Sequence, residues 1–195
     1  KRDTYPTKVL YPHSRITRKF TAEVPIEKAA AFLRDFANAP TWDPGTESCT
    51  QISDGPVGVG TQWHNVSKLF GVTTELTYTL VTDELNHVVL EGKNKTATST
   101  DDITLTSVSP NSTEIEYHAN VEFNGAAKIA SPLLKAGFEA KVAPETVKKM
   151  TEALEALRSE PRLKLAESAA QAIGEAQKLL GTRRKFSISG GGIRL

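Results

Sequence analysis

The sequence predicts an α+β domain in which a curved antiparallel sheet of about seven strands wraps around a long C-terminal helix. An alternating segment at residues 14–24 leads into a helical pattern, and six short strand-like segments then fill residues 46–123. Apolar residues return at helical spacing over residues 129–157. The order of elements along the chain is therefore β-α-α-β6-α. Because the connections between consecutive strands are short, the strands are expected to pair antiparallel.

The N-terminal part predicts one strand and two helices. Residues 14–24 alternate apolar and polar side chains, with Arg18 in the inner register. Pro25 then suits an N1-like position at the start of a helix, and Glu27 lies in the first turn, where the helix dipole favours an acid. Prolines and a glycine interrupt this pattern around Trp42. A short irregular helix or loop is therefore expected there.

The six later strands are rich in Thr, Val, Ile, Tyr and Trp and are separated by turn signals such as Asp54-Gly55-Pro56. The last of them alternates most clearly. One face carries Ile115, Tyr117, Ala119, Val121 and Phe123, and the other carries Glu114, Glu116, His118, Asn120 and Glu122. We expect the first face to be buried and the second to face water.

Pro144 interrupts the predicted C-terminal helix and should kink or divide it, since it removes an internal hydrogen bond. After residue 157 the pattern predicts a further helix at about 162–180 and then a basic, glycine-rich tail. The chain is thus divided into an N-terminal extension (1–13), a main domain (14–157) and a C-terminal extension (158–195). The C-terminal extension is a candidate surface for a homodimer or a protein partner.

Composition limits the class of protein. The formal net charge is +1, which gives no overall bias toward nucleic acid. The two ends are basic and the segment between them is acidic. The sequence is compatible with ends that are simply solvated, with ends that contact the acidic segment, and with ends that contact a polyanion. No run of residues is long and apolar enough to span a bilayer, and no signal peptide is visible.

The single cysteine, Cys49, excludes an intramolecular disulfide and any site with several cysteine ligands. A buried, inert thiol is the better interpretation of Cys49, and a cytoplasmic location is expected. Because residue 1 is Lys rather than Met, a missing natural N-terminus is left open. No metal-binding motif joins the four histidines, so neither a metal nor another cofactor is predicted.

Three stretches resemble the polyketide cyclase/dehydrase and START-like (SRPBCC) superfamily: VPIEKAAAFLRDFANAPTWDPG (24–45), DGPVGVGTQWHN (54–65) and the amphipathic C-terminal helix. The resemblance covers about residues 14–157 and implies the helix-grip fold, with an apolar ligand cavity between sheet and helix. Gly58 and Gly60 belong to the second stretch. No helix follows them, which excludes a phosphate-binding loop.

The predicted ligand-binding residues share an inward register on the strands or a place on the facing helix and loop. They are Trp42, Trp63, Asn65, Leu76, Tyr78, Leu80, Tyr117, Ala119, Leu133 and Gly137. An apolar pocket with a few polar groups is the usual form of a small-molecule site. The alternative is a solid core. For Trp42, a gate at the mouth of the pocket and a buried loop anchor are equally compatible with the sequence.

Candidate catalytic groups are few. If the chain is an enzyme, Tyr78, Tyr117 and Asn65 are the candidates, while Arg18 and Lys141 are doubtful charged additions. Asp43 is interpreted as a turn residue because Pro44 follows it. The adjacent pair at 101–102 and the glutamate row of the last strand are not expected to converge in a cleft.

Three functions are therefore compatible with the sequence. The first is binding or carriage of a hydrophobic small molecule, such as a lipid, a polyketide or an aromatic metabolite. The second is a cyclase or dehydratase that uses the tyrosines of the cavity. The third is a protein-interaction module that acts through residues 158–195. The mostly apolar predicted lining favours the first.

Overall fold

The computed structural model describes residues 15–69, 71–123 and 138–158, together with residues 171 and 173. The chain divides into two compact units, residues 1–157 and 158–195. Every strand and every bounded helix described below belongs to the first unit. Apart from Gln171 and Ile173, which are helical, the predicted helix at 162–180 and the tail lie outside the described residues.

Seven antiparallel strands form one curved sheet in the order β1-β7-β6-β5-β4-β3-β2. Their bounds are β1 Arg15–Ala22, β2 Thr46–Gln51, β3 Gln62–Leu69, β4 Val72–Glu84, β5 His87–Lys93, β6 Ala97–Ser109 and β7 Ser112–Phe123. Strands β2 to β7 pair with their neighbours in the chain, while β1 pairs with β7. The predicted sheet and its antiparallel pairing are confirmed.

Two helical segments follow β1, and a longer one closes the domain. They are α1 (Ile26–Arg34), α2 (Ala39–Trp42), which a short 3₁₀ turn at Phe36–Asn38 precedes, and α3 (Ala143–Ala156). Pro25 is the N-cap of α1, one residue earlier than its predicted position. The α+β class and the helix-grip architecture follow from these elements.

Pro144 lies in the first turn of α3, the part of an α-helix in which proline is best tolerated. A π-helical turn at Phe138–Val142 comes directly before α3. The regular α-helix therefore begins at the proline rather than continuing through it, as its backbone chemistry predicts. Residues 129–137 of the predicted helix lie outside the described part of the chain.

Helix α3 packs against α2, α1 and β1. Met150 and Leu154 are fully buried on its inward face, and they join the core shared with the sheet. At its C-terminal end, Lys28 Nζ donates to the carbonyl oxygen of Leu157 at 2.9 Å. A cation at this carbonyl complements the helix dipole and fixes α3 against α1. None of the helices among the described residues is long and apolar enough to cross a membrane.

Burial along β6 and β7 separates two faces of the sheet. On β6, alternate residues from Ala97 to Leu105 are buried, and those between them are half-buried. The inner face of the sheet is the one that carries these buried residues. Tyr117 on β7 and Tyr78 on β4 lie on the same face. The core cluster lies on this face.

Two surface expectations need correction or refinement. His118 was expected to face water, but it is only 9% exposed. Its Nδ1 lies 2.7 Å from Thr17 Oγ1 and its Nε2 lies 2.9 Å from Glu116 Oε1, so both ring nitrogens are engaged on the outer face. Lys141, a doubtful cavity candidate, is exposed on the π-helical turn and does not line the inner face.

Candidate functional site

A glycine at the centre of the sheet makes room for a tyrosine ring. Across the inner face, the register aligns Trp63 with Tyr78, Tyr78 with Gly92, and Gly92 with Ser99. A Cβ on Gly92 would lie 2.6 Å from two ring atoms of Tyr78. Because Gly92 has no side chain, the Tyr78 ring lies over β5 and its hydroxyl reaches β6.

The hydroxyl of Tyr78 lies close enough to Ser99 and Asp101 for both side chains to affect its pKa. Tyr117 Oη donates a hydrogen bond to Asp101, with Oδ1 of the carboxyl at 2.5 Å. In the register of β6 and β7, Tyr117 is the diagonal neighbour of Asp101. We call Tyr78, Ser99, Asp101 and Tyr117 the polar cluster. All four residues are buried.

The carboxyl of Asp101 is the titratable centre of the polar cluster. Burial, assisted by the negative charge of Asp43, raises its pKa to about 7, although the hydrogen bonds from Tyr117 and Tyr78 oppose this rise. Burial, followed by the charge of Asp101, also raises the pKa of each of the two tyrosines well above its ordinary value. Near neutral pH, Asp101 can therefore hold or release a proton while both tyrosines stay neutral.

Asp43 contributes a second carboxyl to the same region. Its Oδ1 accepts from the Gly45 amide at 3.0 Å and its Oδ2 from the Thr46 hydroxyl at 2.6 Å. These bonds fit the predicted turn role. Burial nonetheless raises the pKa of Asp43, and its charge acts on Asp101. The sequence analysis did not pair Asp43 with Asp101, because it interpreted Asp43 as a turn residue only.

Five aromatic rings form a second cluster, which shares two tyrosines with the polar cluster. Phe36 contacts three of them, with ring centroids 5.9 Å from Trp42, 6.4 Å from Trp63 and 4.3 Å from Tyr78. Trp42 also meets Tyr117 edge to face at 6.1 Å. We call Phe36, Trp42, Trp63, Tyr78 and Tyr117 the aromatic cluster. Its two tyrosines belong to both clusters, so the apolar and polar parts are continuous.

Both indole groups are buried without a hydrogen-bond partner. Trp42 is 1% exposed and Trp63 is 0% exposed, and neither Nε1 has an acceptor. An indole nitrogen can only donate, so a buried one usually finds a partner. The aromatic cluster therefore contains two unused hydrogen-bond donors.

Asn65 is occupied by its own neighbours. Its Nδ2 donates to Thr46 Oγ1 at 3.1 Å, and its Oδ1 accepts from Ser67 Oγ at 2.7 Å. Cys49 pairs with Asn65 across β2 and β3, and burial raises the pKa of its thiol to about 11. These bonds give Asn65 a part in joining β2 to β3 in addition to its predicted role toward a ligand.

The structure brings most of the predicted site residues to the buried inner side of the domain. These are Trp42, Trp63, Asn65, Leu76, Tyr78, Leu80, Tyr117 and Ala119, all no more than 9% exposed. Leu133 and Gly137 lie outside the described residues. Trp42 ends α2 and is buried, which matches the anchor interpretation more closely than an exposed gate. Arg18 is half-buried on β1 opposite Tyr117.

Three important residues of the site were missed. Asp101 was considered only together with Asp102, as a pair that was not expected to converge with other carboxylates in a cleft, and Ser99 and Gly92 were not singled out at all. The signal was present in the alternation of β6, where Asp101 shares its face with Ile103 and Leu105. Reading the two aspartates as one feature concealed the fact that successive strand residues point to opposite faces.

Within the described part of the chain, no group of three or more His, Cys, Asp or Glu residues is arranged to hold a metal ion. The side chains of the site offer apolar contact from the rings, two indole donors and one carboxyl that titrates near neutral pH.

The curved sheet closed by α3, with its buried aromatic and polar groups, defines a helix-grip protein of the START-like class. The sequence profile of the family described as polyketide cyclase / dehydrase and lipid transport matches residues 13–160. This match covers most of the chain. The chain belongs to this family, and the suspected superfamily is confirmed.

Solved structures similar to this chain share its fold. A START superfamily protein from Mycobacterium smegmatis is 14% identical, with a TM-score of 0.61 over 73% of this chain and 98% of the other. The protein TTHA0849 from Thermus thermophilus is 12% identical, with a TM-score of 0.61 and the same coverage. The Zhui aromatase/cyclase from a Streptomyces species is 12% identical, with a TM-score of 0.58 over 76% and 94%. No curated protein sequence matches this chain.

Proposed function

We propose that this chain binds and carries a hydrophobic small molecule between the inner face of the sheet and α3. The observation that carries the proposal is the continuity of the aromatic cluster with a buried carboxyl and two unused indole donors. Apolar surroundings with a few convergent polar groups are typical of small-molecule sites. Family membership supports a hydrophobic ligand in general terms.

The two clusters would divide the work of binding. Contact with the aromatic rings supplies affinity, at about 25 cal/mol per Å² of apolar surface removed from water. The polar cluster supplies orientation, because a ligand group placed against it must match buried hydrogen-bonding atoms. A mismatch there leaves a polar group unpaired, which costs more than a well-matched bond gains.

A direct binding measurement tests this proposal. Titration with the neutral fluorescent dye Nile red should give saturable binding, and lipids and aromatic ketones should displace the dye. Ala119→Leu adds volume beside Asp101 on the inner face and should weaken dye binding. Val81→Leu changes an exposed position on β4 and serves as the matched control.

Circular dichroism of both variants establishes that the fold is retained. The proposal fails if no dye or library compound binds the full chain, or if Ala119→Leu and Val81→Leu leave binding equally unchanged. Native mass spectrometry of the purified chain provides a second measurement, since a retained ligand adds a defined mass.

The second candidate function is a cyclase or dehydratase, and Asp101 is the observation that favours it. General acid–base catalysis works best with a pKa near the operating pH, and burial raises the pKa of Asp101 to about 7. Of the predicted catalytic tyrosines, Tyr117 donates a hydrogen bond to this carboxyl, and the charge of the carboxyl acts on Tyr78. Turnover of a bound polyketide that survived Asp101→Asn would argue against this candidate.

A role for residues 158–195 in dimerisation or partner binding stays a prediction. Comparing the oligomeric state of the full chain with that of a chain ending at Arg158 tests it, and an unchanged state counts against it.

A further inference from the structure

The unmet hydrogen bonds of the buried side chains are all of one kind. Among the described residues, the buried side-chain atoms without a partner are Arg34 Nε, Trp42 Nε1 and Trp63 Nε1, and all three are donors. Arg34 uses another of its nitrogens, Nη2, to bind both Asp83 and the Val57 carbonyl oxygen. The two indoles have no such second contact, because each side chain has a single polar atom.

Both indoles lie in the aromatic cluster, and each is close to the ring of Phe36. Their ring centroids are 5.9 Å and 6.4 Å from the centroid of Phe36. Trp42 reaches this position from the end of α2, and Trp63 reaches it from β3. A buried donor without an acceptor costs about 1–3 kcal/mol. Because two such donors occur in the same cluster, we look for one partner that could pair with both.

The acceptor side chains of the site each already receive at least one hydrogen bond. Asp101 receives one from Tyr117. Asp43 receives them from the Gly45 amide and the Thr46 hydroxyl, and Asn65 Oδ1 receives one from a serine. In this part of the described structure, therefore, the groups that lack a partner are donors, and a ligand that supplies an acceptor would pair with them.

The charged side chains near the aromatic cluster favour an uncharged acceptor over an anionic one. Asp43 and Asp101 place two carboxyls beside the aromatic cluster, and the charge of Asp43 acts on Asp101 and on both tyrosines. A carboxylate or phosphate ligand would add a like charge to this low-dielectric region, which is costly. The cations close by are Arg18, which donates to the Thr17 carbonyl oxygen, and Lys149, whose Nζ lies 3.6 Å from Glu145.

We propose that the ligand carries an uncharged oxygen acceptor, such as a ketone, ester or amide carbonyl, and that the indole N–H groups of Trp42 and Trp63 receive it. The inference rests on the proposed binding function and names the class of ligand and the two residues that select it. An anionic ligand of the same shape is rejected by Asp43 and Asp101. A hydrocarbon of the same shape leaves both indoles unpaired.

Three naphthalene probes of nearly equal size test this inference on the full chain. They are 2-acetylnaphthalene, which has a neutral carbonyl, 2-ethylnaphthalene, which has no acceptor, and 2-naphthoate, which is an anion. The ketone should bind between about twofold and tenfold more tightly than the hydrocarbon for each indole bond formed. The carboxylate should bind more weakly than the ketone.

The chain has two tryptophans in all, so its proton–nitrogen NMR spectrum has two indole N–H signals. Both should move downfield on binding the ketone, and neither should do so on binding the hydrocarbon. The inference is overturned if the indole signals respond alike to both probes, or if the carboxylate binds as tightly as the ketone. If none of the three probes binds, the proposed function itself fails.

Trp42→Phe and Trp63→Phe remove one indole donor each and keep an aromatic ring. Each should lower affinity for the ketone by more than it lowers affinity for the hydrocarbon, so the preference between the two probes shrinks. An equal loss for both probes would show a packing role only and would contradict the inference. If a variant does not fold, the NMR measurement on the unaltered chain still decides the question.

Discussion

Asp101 and Asp102 are neighbours in the chain and chemically identical, yet they lie on opposite faces of the sheet. Asp101 is 6% exposed and receives the hydroxyl of Tyr117. Asp102 is half-buried on the outer face, where its Oδ1 lies 2.9 Å from His87 Nε2. The residue type is the same, so the different environments come from the two-residue period of the strand alone.

The same contrast extends to the strands on either side. The inner face combines fully buried Ile103 and Ile115 with the polar cluster, whereas the outer face carries ion pairs such as Lys19–Glu114. Burial strengthens every electrostatic effect on the inner face, and water weakens those outside. We therefore expect substitutions on the two faces to differ in both size and pH dependence.

The largest difference is expected from deletion of core volume. Ile103→Ala should lower the free energy of unfolding by about 2–5 kcal/mol, since it removes a fully buried side chain and leaves a cavity. Thr106→Ala, on the exposed part of the outer face of β6, should change it by less than about 1 kcal/mol. Urea denaturation measures both. Equal losses would show that the two faces are not distinct in energy.

The next effect is a pH dependence that belongs to Asp101. Its pKa is about 7 in the folded chain against an ordinary value of 3.8, so between these values the folded state holds a proton that the unfolded state releases. The contribution of Asp101 to the free energy of unfolding is therefore greatest below about pH 4. It decreases as the pH rises to about 7 and stays constant above that. The decline should be on the order of a few kcal/mol.

Asp101→Asn should remove this decline, and Asp102→Asn should keep it. Urea unfolding of the three proteins at several values between about pH 4.5 and 8 provides the comparison. A profile for Asp101→Asn that follows the unaltered chain would contradict the assignment of the titrating group.

A smaller loss is expected at Gly92. Gly92→Ala places a Cβ 2.6 Å from the ring of Tyr78 and should cost about 1–3 kcal/mol through overpacking. Gly58→Ala is the matched control, because no atom lies within 4 Å of its added Cβ. Since the displaced ring carries the hydroxyl that reaches β6, Gly92→Ala should also weaken Nile red binding. Unchanged stability would mean that Tyr78 can move away freely.

The smallest effect is expected from the outer-face pair of His87 and Asp102. Its side chains are 39% and 25% exposed, and exposed ion pairs contribute about 0–1 kcal/mol. A double-mutant cycle with His87→Ala and Asp102→Ala should give a coupling energy within that range. A coupling above about 2 kcal/mol would show that the outer face is less well hydrated than its exposure indicates.

Much of the fold could be predicted because each strand carries its own signal. Alternation marked β1 and β7, turn residues separated the strands between them, and Pro144 marked the start of the regular part of α3. The burial of His118 could not be predicted in this way. Its two ring nitrogens meet Thr17 and Glu116, and Thr17 belongs to a strand 101 positions earlier in the chain.

The candidate site was predicted less completely than the fold. The inward register identified Trp63, Tyr78 and Tyr117, since periodicity depends only on local sequence. The role of Asp101 depends on which strands are adjacent and on their register. The reach of Tyr78 across β5 also depends on the absence of a side chain at Gly92, which matters only once β4 and β6 flank that position.

The sequence by itself determined the strand and helix order and the apolar character of the inner face, because these depend on local periodicity and turn chemistry. The superfamily came from the resemblance of three stretches of the chain to a known family. Only the tertiary structure decided that Asp101 and two unpartnered indoles are buried on one side of the domain, and that the charge of the half-buried Asp43 acts on Asp101. The physical reason is that burial and hydrogen-bond partners are properties of residues brought together from distant parts of the chain. A strand pattern shows which way a side chain points but not what it meets.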